Sequence, residues 1–446
     1  MQKKIIVIGG GMAGTSAAYF LTKKGYDVTI IEKNDRLGGR IRSQLTDGIA
    51  MEYGAGFITN MYPNMLRFLK EQGLKKYLYP YKATTPGIVR DGSVHVVSMK
   101  SVLGTVMLSW GAKSYVIPFV TRALWHWNIM DTRQPWKLAV YDDASIDDVY
   151  SSSSGKEFLD YVLQPILSAT FYWSAAETKK ISKAILLFCS KALLMGGQYK
   201  MQGGLQQIPE KAAEGSLILL RHAVKRVQRE SDGAYWVEVE HNGMHNKLRA
   251  DGIVCATTAS VIPQIFSDLS PRRREFFENI HYSSAAYVGR TYKKVQLRGN
   301  RGIVFSDKEG LSVVGLTSLL EPAVDGTKPM VGSVKISTTG NMAKNLKGKS
   351  DEIISKTLIE GARLAHETVF VGSPKPLSTY VWHWDEALPI LNVGYFKKLT
   401  SFVTEEAFET EPLVFAGDYL GGPFMEGAFT NGTLAAQRLD TLLDSI

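Results

Sequence analysis

The chain has 446 residues, 45% of them hydrophobic and 21% charged, a composition that excludes a disordered chain and a length that calls for two or three packed units. Its formal charge of +9 comes from 52 basic and 43 acidic residues scattered along it. No nucleic-acid module is recognisable, which leaves an anionic membrane surface, an acidic substrate or plain solubility to account for the charge.

Residues 5–8, Ile5-Ile6-Val7-Ile8, form a β-branched run that fits a strand buried on both faces of a parallel sheet. It begins so close to Met1 that no removable leader is expected. Gly9, Gly11 and Gly14 follow as GxGxxG. Gly9 permits a tight turn, Gly11 lets a pyrophosphate approach the backbone, and Gly14 lets helix and strand pack closely. Met12 and Ala13 open the helix, Ala13, Ala17, Phe20 and Leu21 share one face, and Gly25 ends it. A second strand, 28–31, ends at Glu32 with Lys33 beside it. A carboxylate about 20 residues past the turn is placed for ribose hydroxyls and would repel a 2′-phosphate. That order of elements marks a dinucleotide site.

Arg36-Leu37-Gly38-Gly39-Arg40 decides between dinucleotides. Gly38 and Gly39 bring backbone N–H groups close to a ligand, and Arg40 is placed to pair with its pyrophosphate. Simple NAD dehydrogenases have no such extension, so FAD, bound non-covalently, is expected. In Glu52-Tyr53-Gly54-Ala55-Gly56-Phe57, Gly54 and Ala55 offer bare backbone to a flat ring, with Phe57 as a cavity candidate.

Segment 102–130 carries Trp110, Tyr115, Phe119, Trp125 and Trp127 among Lys113, Pro118 and Arg122. A patch dipping into a membrane surface and a core helix pair both fit; a bilayer span needs about 20 uninterrupted apolar residues and does not. Tyr235-Trp236-Val237-Glu238-Val239-Glu240 alternates like a half-exposed strand. His241 and His245 flank Asn242-Gly243, which reads as a hairpin turn, so no metal site is expected there or elsewhere. Cys189 and Cys255 are isolated thiols, which favours a reducing, cytoplasmic location, free or peripheral on the cytoplasmic membrane face. The helix beginning at 425–428 shows Ala435, Leu439, Leu442 and Leu443 on one face, and its N-terminal dipole would favour the negative charge of a reduced flavin.

The stretch GGGMAGTSAAYFLTKKGYDVTIIEKNDRLGGRIRS with YGAGF, and the ending Phe415-Ala416-Gly417-Asp418-Tyr419 through Met425-Glu426-Gly427-Ala428 to Asn431-Gly432, resemble the flavin amine oxidase, protoporphyrinogen oxidase and carotenoid desaturase superfamily. The resemblance implies an α/β fold: a discontinuous Rossmann-like FAD domain of the glutathione reductase type, an inserted mixed-sheet substrate domain and a helical subdomain. The FAD domain would comprise 1–80, 197–275 and 405–446, the substrate domain 81–98 and 276–404, and the helical part 99–196. Backbone near Val224 would hold adenine, Gly417 and Asp418 the ribityl–pyrophosphate region, and Met425 and Ala428 the isoalloxazine ring. Amine oxidases of the superfamily carry a lysine near flavin N5, where this chain has Tyr287. Trp384-Asp385-Glu386-Ala387-Leu388-Pro389 with Tyr395 is similar to a porphyrinogen oxidase segment, which makes Trp384 and Tyr395 candidate cavity walls. Arg90 and Arg290 are candidate partners for a substrate carboxylate.

The resemblance thus implies hydride removal from a large apolar substrate, protoporphyrinogen-like first, with oxygen or a quinone reoxidising the flavin. Polyene desaturation and amine oxidation are the alternative activities. A scaffold like the Rab escort and GDP-dissociation-inhibitor proteins is the non-enzymatic one.

Overall fold

The computed structural model describes residues 2–81, 86–96, 105–126, 131, 133–195, 197–324 and 330–445. Of the segments singled out above, 82–85, 97–104 and 127–130, Trp127 among them, lie outside the described residues.

Five strands form one parallel sheet. They are β1 (Lys4–Ile8), β2 (Asp27–Glu32), β3 (Leu217–Leu220), β4 (Gly252–Cys255) and β5 (Leu413–Phe415), in spatial order β3-β2-β1-β4-β5. The β-branched run takes the centre, with Ile5, Ile6, Val7 and Ile8 all buried, as an apolar strand covered on both faces must. The sheet thus gathers strands from the start, middle and end of the chain. Helix α1 (Met12–Lys23) leaves β1, and α2 (Met425–Asp444) closes the molecule against it. Ala13, Ala17 and Leu21 of α1 share a core with Ala435, Ala436, Leu439 and Leu443 of α2. The helices touch so closely that a Cβ on Gly432 would lie 2.0 Å from the Ala13 carbonyl oxygen.

The second large sheet is mixed, as the expected α/β fold with its inserted domain requires. Its order is Ser378–Trp384, Ala285–Lys293, Val331–Thr339, Gly315–Leu320, Arg301–Phe305, Pro86–Arg90 and Ser93–Val96. Neighbours are antiparallel except Arg301–Phe305 with Pro86–Arg90. One face is apolar: Val288, Val334 and Ile336 form a core with Ile354 and Leu358 of the helix Asp351–Gly361. The other face looks toward the dinucleotide sheet. Against the dinucleotide sheet, Ala223–Arg229, Tyr235–His241 and Met244–Ala250 make an antiparallel meander. Its tight turn has Asn242 at φ 52° and Gly243 at φ 78°, the two positive angles of a type I′ hairpin.

Helices Trp110–Ser114, Val116–Trp125, Ser153–Phe158, Gln164–Phe171 and Ile185–Met195 dominate the region between residues 105 and 195. No described helix is long and apolar enough to cross a membrane.

Candidate functional site

Both sheets face one cavity of about 1330 Å³. Gly9, on its wall, has φ 104°, open to glycine at little cost, and a Cβ there would lie 2.7 Å from the Ala256 carbonyl oxygen. Gly14 serves packing: its Cβ would meet the Gly9 carbonyl oxygen at 1.9 Å, and it lies behind the cavity wall. Gly11 is the reverse case. Nothing lies within 4 Å of where its Cβ would be, and with Met12 and Ala13 it lines the cavity.

The Gly38-Gly39 loop lies across this turn. The Gly38 N–H donates to the Gly10 carbonyl at 2.8 Å, and a Cβ on Gly39 would lie 3.2 Å from Gly11 Cα. The Arg36 guanidinium clamps the loop by donating to the carbonyls of Leu37 at 3.0 Å, Gly39 at 2.8 Å and Ile41 at 2.9 Å. Sequence reasoning gave Arg36 no task, although an arginine opening a glycine pair was the available signal. Glu32 lies at the end of β2, 5% exposed. Its Oε2 accepts the Gly10 N–H at 2.8 Å and its Oε1 the Asn34 N–H at 2.8 Å, so the carboxylate is held in one orientation. Lys33 and Val224 line the same end.

Arg40 and Asp418 meet on the cavity wall. Two parallel N–H···O bonds of 2.8 Å join them, and Arg40 donates a third to the Ala387 carbonyl at 2.9 Å. Burial disfavours the guanidinium charge, but the Asp418 carboxylate outweighs it and raises the Arg40 pKa. The sequence reading aimed both residues at the ligand; the structure also joins them to each other. Gly417, Gly54 and Ala55 line the cavity beside them. Gly54 has no room for a side chain, because a Cβ would lie 1.8 Å from the Arg40 carbonyl oxygen.

Helix α2 starts at the same cavity, where Met425 and Ala428 face it. Glu426 turns the other way. Its carboxylate accepts the N–H groups of Asn64 and Met65, each at 2.9 Å, at the start of the helix Pro63–Glu71. Burial pushes its pKa up to about 7. The starts of α1 and α2, both with unpaired N–H groups and the positive end of the helix dipole, therefore border one space.

The opposite wall belongs to the mixed sheet. Tyr287, Trp382 and Trp384 line it, with Tyr287 paired to Trp382 in register. The Trp384 indole donates to the Tyr53 carbonyl at 2.6 Å. Phe57 also lines the cavity and stacks on Tyr81 with centroids 5.9 Å apart. Tyr287 is 1% exposed, and its hydroxyl has no hydrogen-bond partner among the described residues. Tyr395 corrects the sequence reading: it is not on the cavity. Its hydroxyl donates to the Tyr419 carbonyl and its ring packs on Phe396, because its helix, Tyr395–Glu406, turns into the core. Arg90 and Arg290 also miss the cavity. Arg90 pairs with Glu157 at 2.7 Å. Arg290, an odd number of residues from Tyr287, points to the helix-covered face and donates to Ser355 at 3.1 Å. In their place the strand Val331–Thr339 sends Ser333, Lys335 and Ser337 to the cavity. The signal for them was the alternation Ser333-Val334-Lys335-Ile336-Ser337 with apolar residues between. No cluster of His, Cys, Asp and Glu side chains fit to hold a metal occurs among the described residues.

Ordinary ligand pockets hold about 300–1,000 Å³, so this cavity has room for a dinucleotide and a substrate together. Its Gly11 opening, ordered Glu32 carboxylate and twin helix starts fit a flavin dinucleotide stretched between the sheets. Such a fold and site define a flavin-dependent oxidoreductase. The chain belongs to the flavin containing amine oxidoreductase family, whose model matches residues 12–440; it is an FAD-dependent oxidoreductase. Protoporphyrinogen oxidase of Nicotiana tabacum is 22% identical over 100% of this chain and 96% of its own. A match to protoporphyrinogen oxidase 2 of Arabidopsis thaliana, 27% identical, spans 40% of this chain and 34% of that protein. Cyclohexylamine oxidase from Brevibacterium oxydans superposes with a TM-score of 0.74 at 18% identity, covering 100% of both chains, and shares the fold.

Proposed function

We propose that the protein removes hydride from a large, ring-bearing substrate of the protoporphyrinogen kind, with oxygen or a quinone as final acceptor. One observation carries this reading: the single cavity of about 1330 Å³ continues from the dinucleotide turn to an aromatic wall of Tyr287, Trp382 and Trp384, broad enough to lay a macrocycle against the cofactor. The names of the plant relatives agree with it. Bound FAD supplies the hydride acceptor. The chain's part is to hold the ring system flat against the aromatic wall, fix the cofactor between two helix starts and exclude water. The test is anaerobic mixing of oxidised protein with protoporphyrinogen, followed by flavin absorbance. Bleaching is expected; no bleaching, together with bleaching by an amine or a carotene, would replace this reading.

The same proposal places the protein at the cytoplasmic face of an anionic membrane. Helix Val116–Trp125 packs Val116 and Phe119 on the core but leaves Ile117 62%, Leu124 59% and Trp125 86% exposed, beside Trp110 at 77%. Arg122 of the same helix is exposed, and Lys113, itself only 7% exposed, lies 4.3 Å over the Trp110 ring. Tryptophans and cations together on an apolar surface suit the headgroup region. Sedimentation with anionic vesicles at low salt is the check, and a protein that stays in the supernatant contradicts it.

A further inference from the structure

Toward the mixed sheet most charges on the cavity wall have partners. Arg40 is paired with Asp418. Lys200 meets Glu321 at 2.7 Å, the two side chains 8% and 4% exposed, and Ser333 donates to the same carboxylate at 2.7 Å. Glu386 accepts the Thr258 hydroxyl at 2.8 Å, and Asp385 pairs with Lys347 at 2.9 Å. Two cations toward the mixed sheet have no carboxylate. Lys335 holds its Nζ 5.0 Å from the Tyr287 ring centroid, and the Arg42 guanidinium lies 3.7 Å from that of Trp382. Neither forms an ion pair among the described residues, and both line the cavity.

Strand register makes this arrangement specific. Tyr287 pairs with Trp382 on one side and Ser337 on the other, so the two aromatic rings are neighbours and each has a cation against it. Gly289 is opposite Lys335 in the next strand, and the space a side chain would take there is filled by the uncharged Met51 thioether, whose methyl would lie 2.7 Å from a Cβ on Gly289, so that flank offers the lysine no carboxylate. A half-buried cation facing an enclosed space, held by a ring face alone, is short of the partner that its charge calls for.

We infer that Lys335, with Arg42 beside it, recognises an acid group on the substrate, so that the molecule oxidised is an anionic amphiphile: a flat apolar ring system bearing carboxylates. The inference rests on the proposed function and narrows it. A hydrocarbon polyene offers Lys335 nothing to bind, and an ammonium substrate would be repelled by it. A porphyrinogen with propionate side chains lays its rings on Tyr287 and Trp382 and its carboxylates on the two cations.

The test compares wild type, Lys335→Met and Lys335→Arg, each loaded with FAD, using protoporphyrin and its dimethyl ester as binding probes and protoporphyrinogen as substrate. Loss of one charge-assisted hydrogen bond predicts that Lys335→Met binds the free acid about tenfold to a hundredfold more weakly and raises KM similarly, with kcat little changed. The ester should bind the wild type and Lys335→Met alike, and Lys335→Arg should restore binding of the acid. Equal weakening of acid and ester, undiminished acid binding by Lys335→Met, or a changed flavin spectrum without loss of acid binding would overturn the inference. Lysine-dependent binding of the acid without any turnover would leave this site standing and overturn the porphyrinogen oxidation. A wild type that neither binds the acid nor oxidises protoporphyrinogen would overturn both.

Discussion

Gly432→Ala sets two known effects against each other. In the interior of a 20-residue helix, glycine to alanine gains about 1 kcal/mol of helix propensity. At this position the new methyl would lie 2.0 Å from the Ala13 carbonyl oxygen and 2.2 Å from the Ser16 hydroxyl. Real Cβ contacts essentially never fall below 3.0 Å, so α1 and α2 must part by on the order of an ångström in a close-packed interior. Overpacking of this kind costs about 1–3 kcal/mol, and a clash with backbone puts it at the upper end. The net expectation is a loss of about 2 kcal/mol. Because both helices start at the cavity, where Met12 and Met425 line it, much of that loss should appear as FAD affinity, about tenfold to thirtyfold weaker. Equilibrium titration of apoprotein with FAD, alongside thermal unfolding with and without the cofactor, reads both parts. Unchanged affinity and a raised melting temperature would mean that propensity wins and the helices do not touch as described.

Asp418→Asn should destabilise the protein strongly, because removing one partner of a buried pair costs about 3–5 kcal/mol. The lower figure applies here, since the Arg40 side chain is 29% exposed toward the cavity and keeps its bond to Ala387; chemical denaturation of the holoprotein measures it. Burial raises both Glu52 and Glu426 from 4.5 to about 7. A raised carboxyl pKa means that the fold favours the protonated form, so this stability is complete below pH 4.5 and is lost as pH rises through 7. At about 1.4 kcal/mol per pKa unit, each contributes up to roughly 3 kcal/mol. Glu426→Gln should flatten the dependence by about half, and a stability profile as steep as wild type would refute the assignment. Replacing Trp110 and Trp125 together by serine should weaken binding to anionic vesicles while leaving FAD content and melting temperature unchanged; full retention on vesicles would remove the membrane patch.

The dinucleotide turn was legible because each glycine answers a local demand: the positive φ at Gly9, the contact at Gly14, the open approach at Gly11. The mixed sheet was legible in kind through the resemblance, and Tyr287, which the resemblance aimed at the flavin, lies on its strand Ala285–Lys293. What escaped depends on partners distant in sequence. Arg40 meets Asp418 across 378 positions, and Glu426 caps a helix 362 positions earlier, so neither partner could be read from local spacing. Tyr395 was misplaced because a tyrosine beside a motif gives no sign of the direction its helix takes. Lys335 was missed although its polar–apolar alternation was visible, because only the register beside Tyr287 and Trp382 shows which space it faces.

The central claim is that two helix starts, one from each end of the chain, hold a single FAD. The direct measurement is the FAD content of protein purified without added flavin, repeated after apoprotein is titrated with FAD. One FAD per chain, with binding lost on combining Gly11→Val with Gly432→Ala, is the predicted result. A colourless protein that takes up no FAD, or one whose FAD binding ignores both substitutions, would contradict the account.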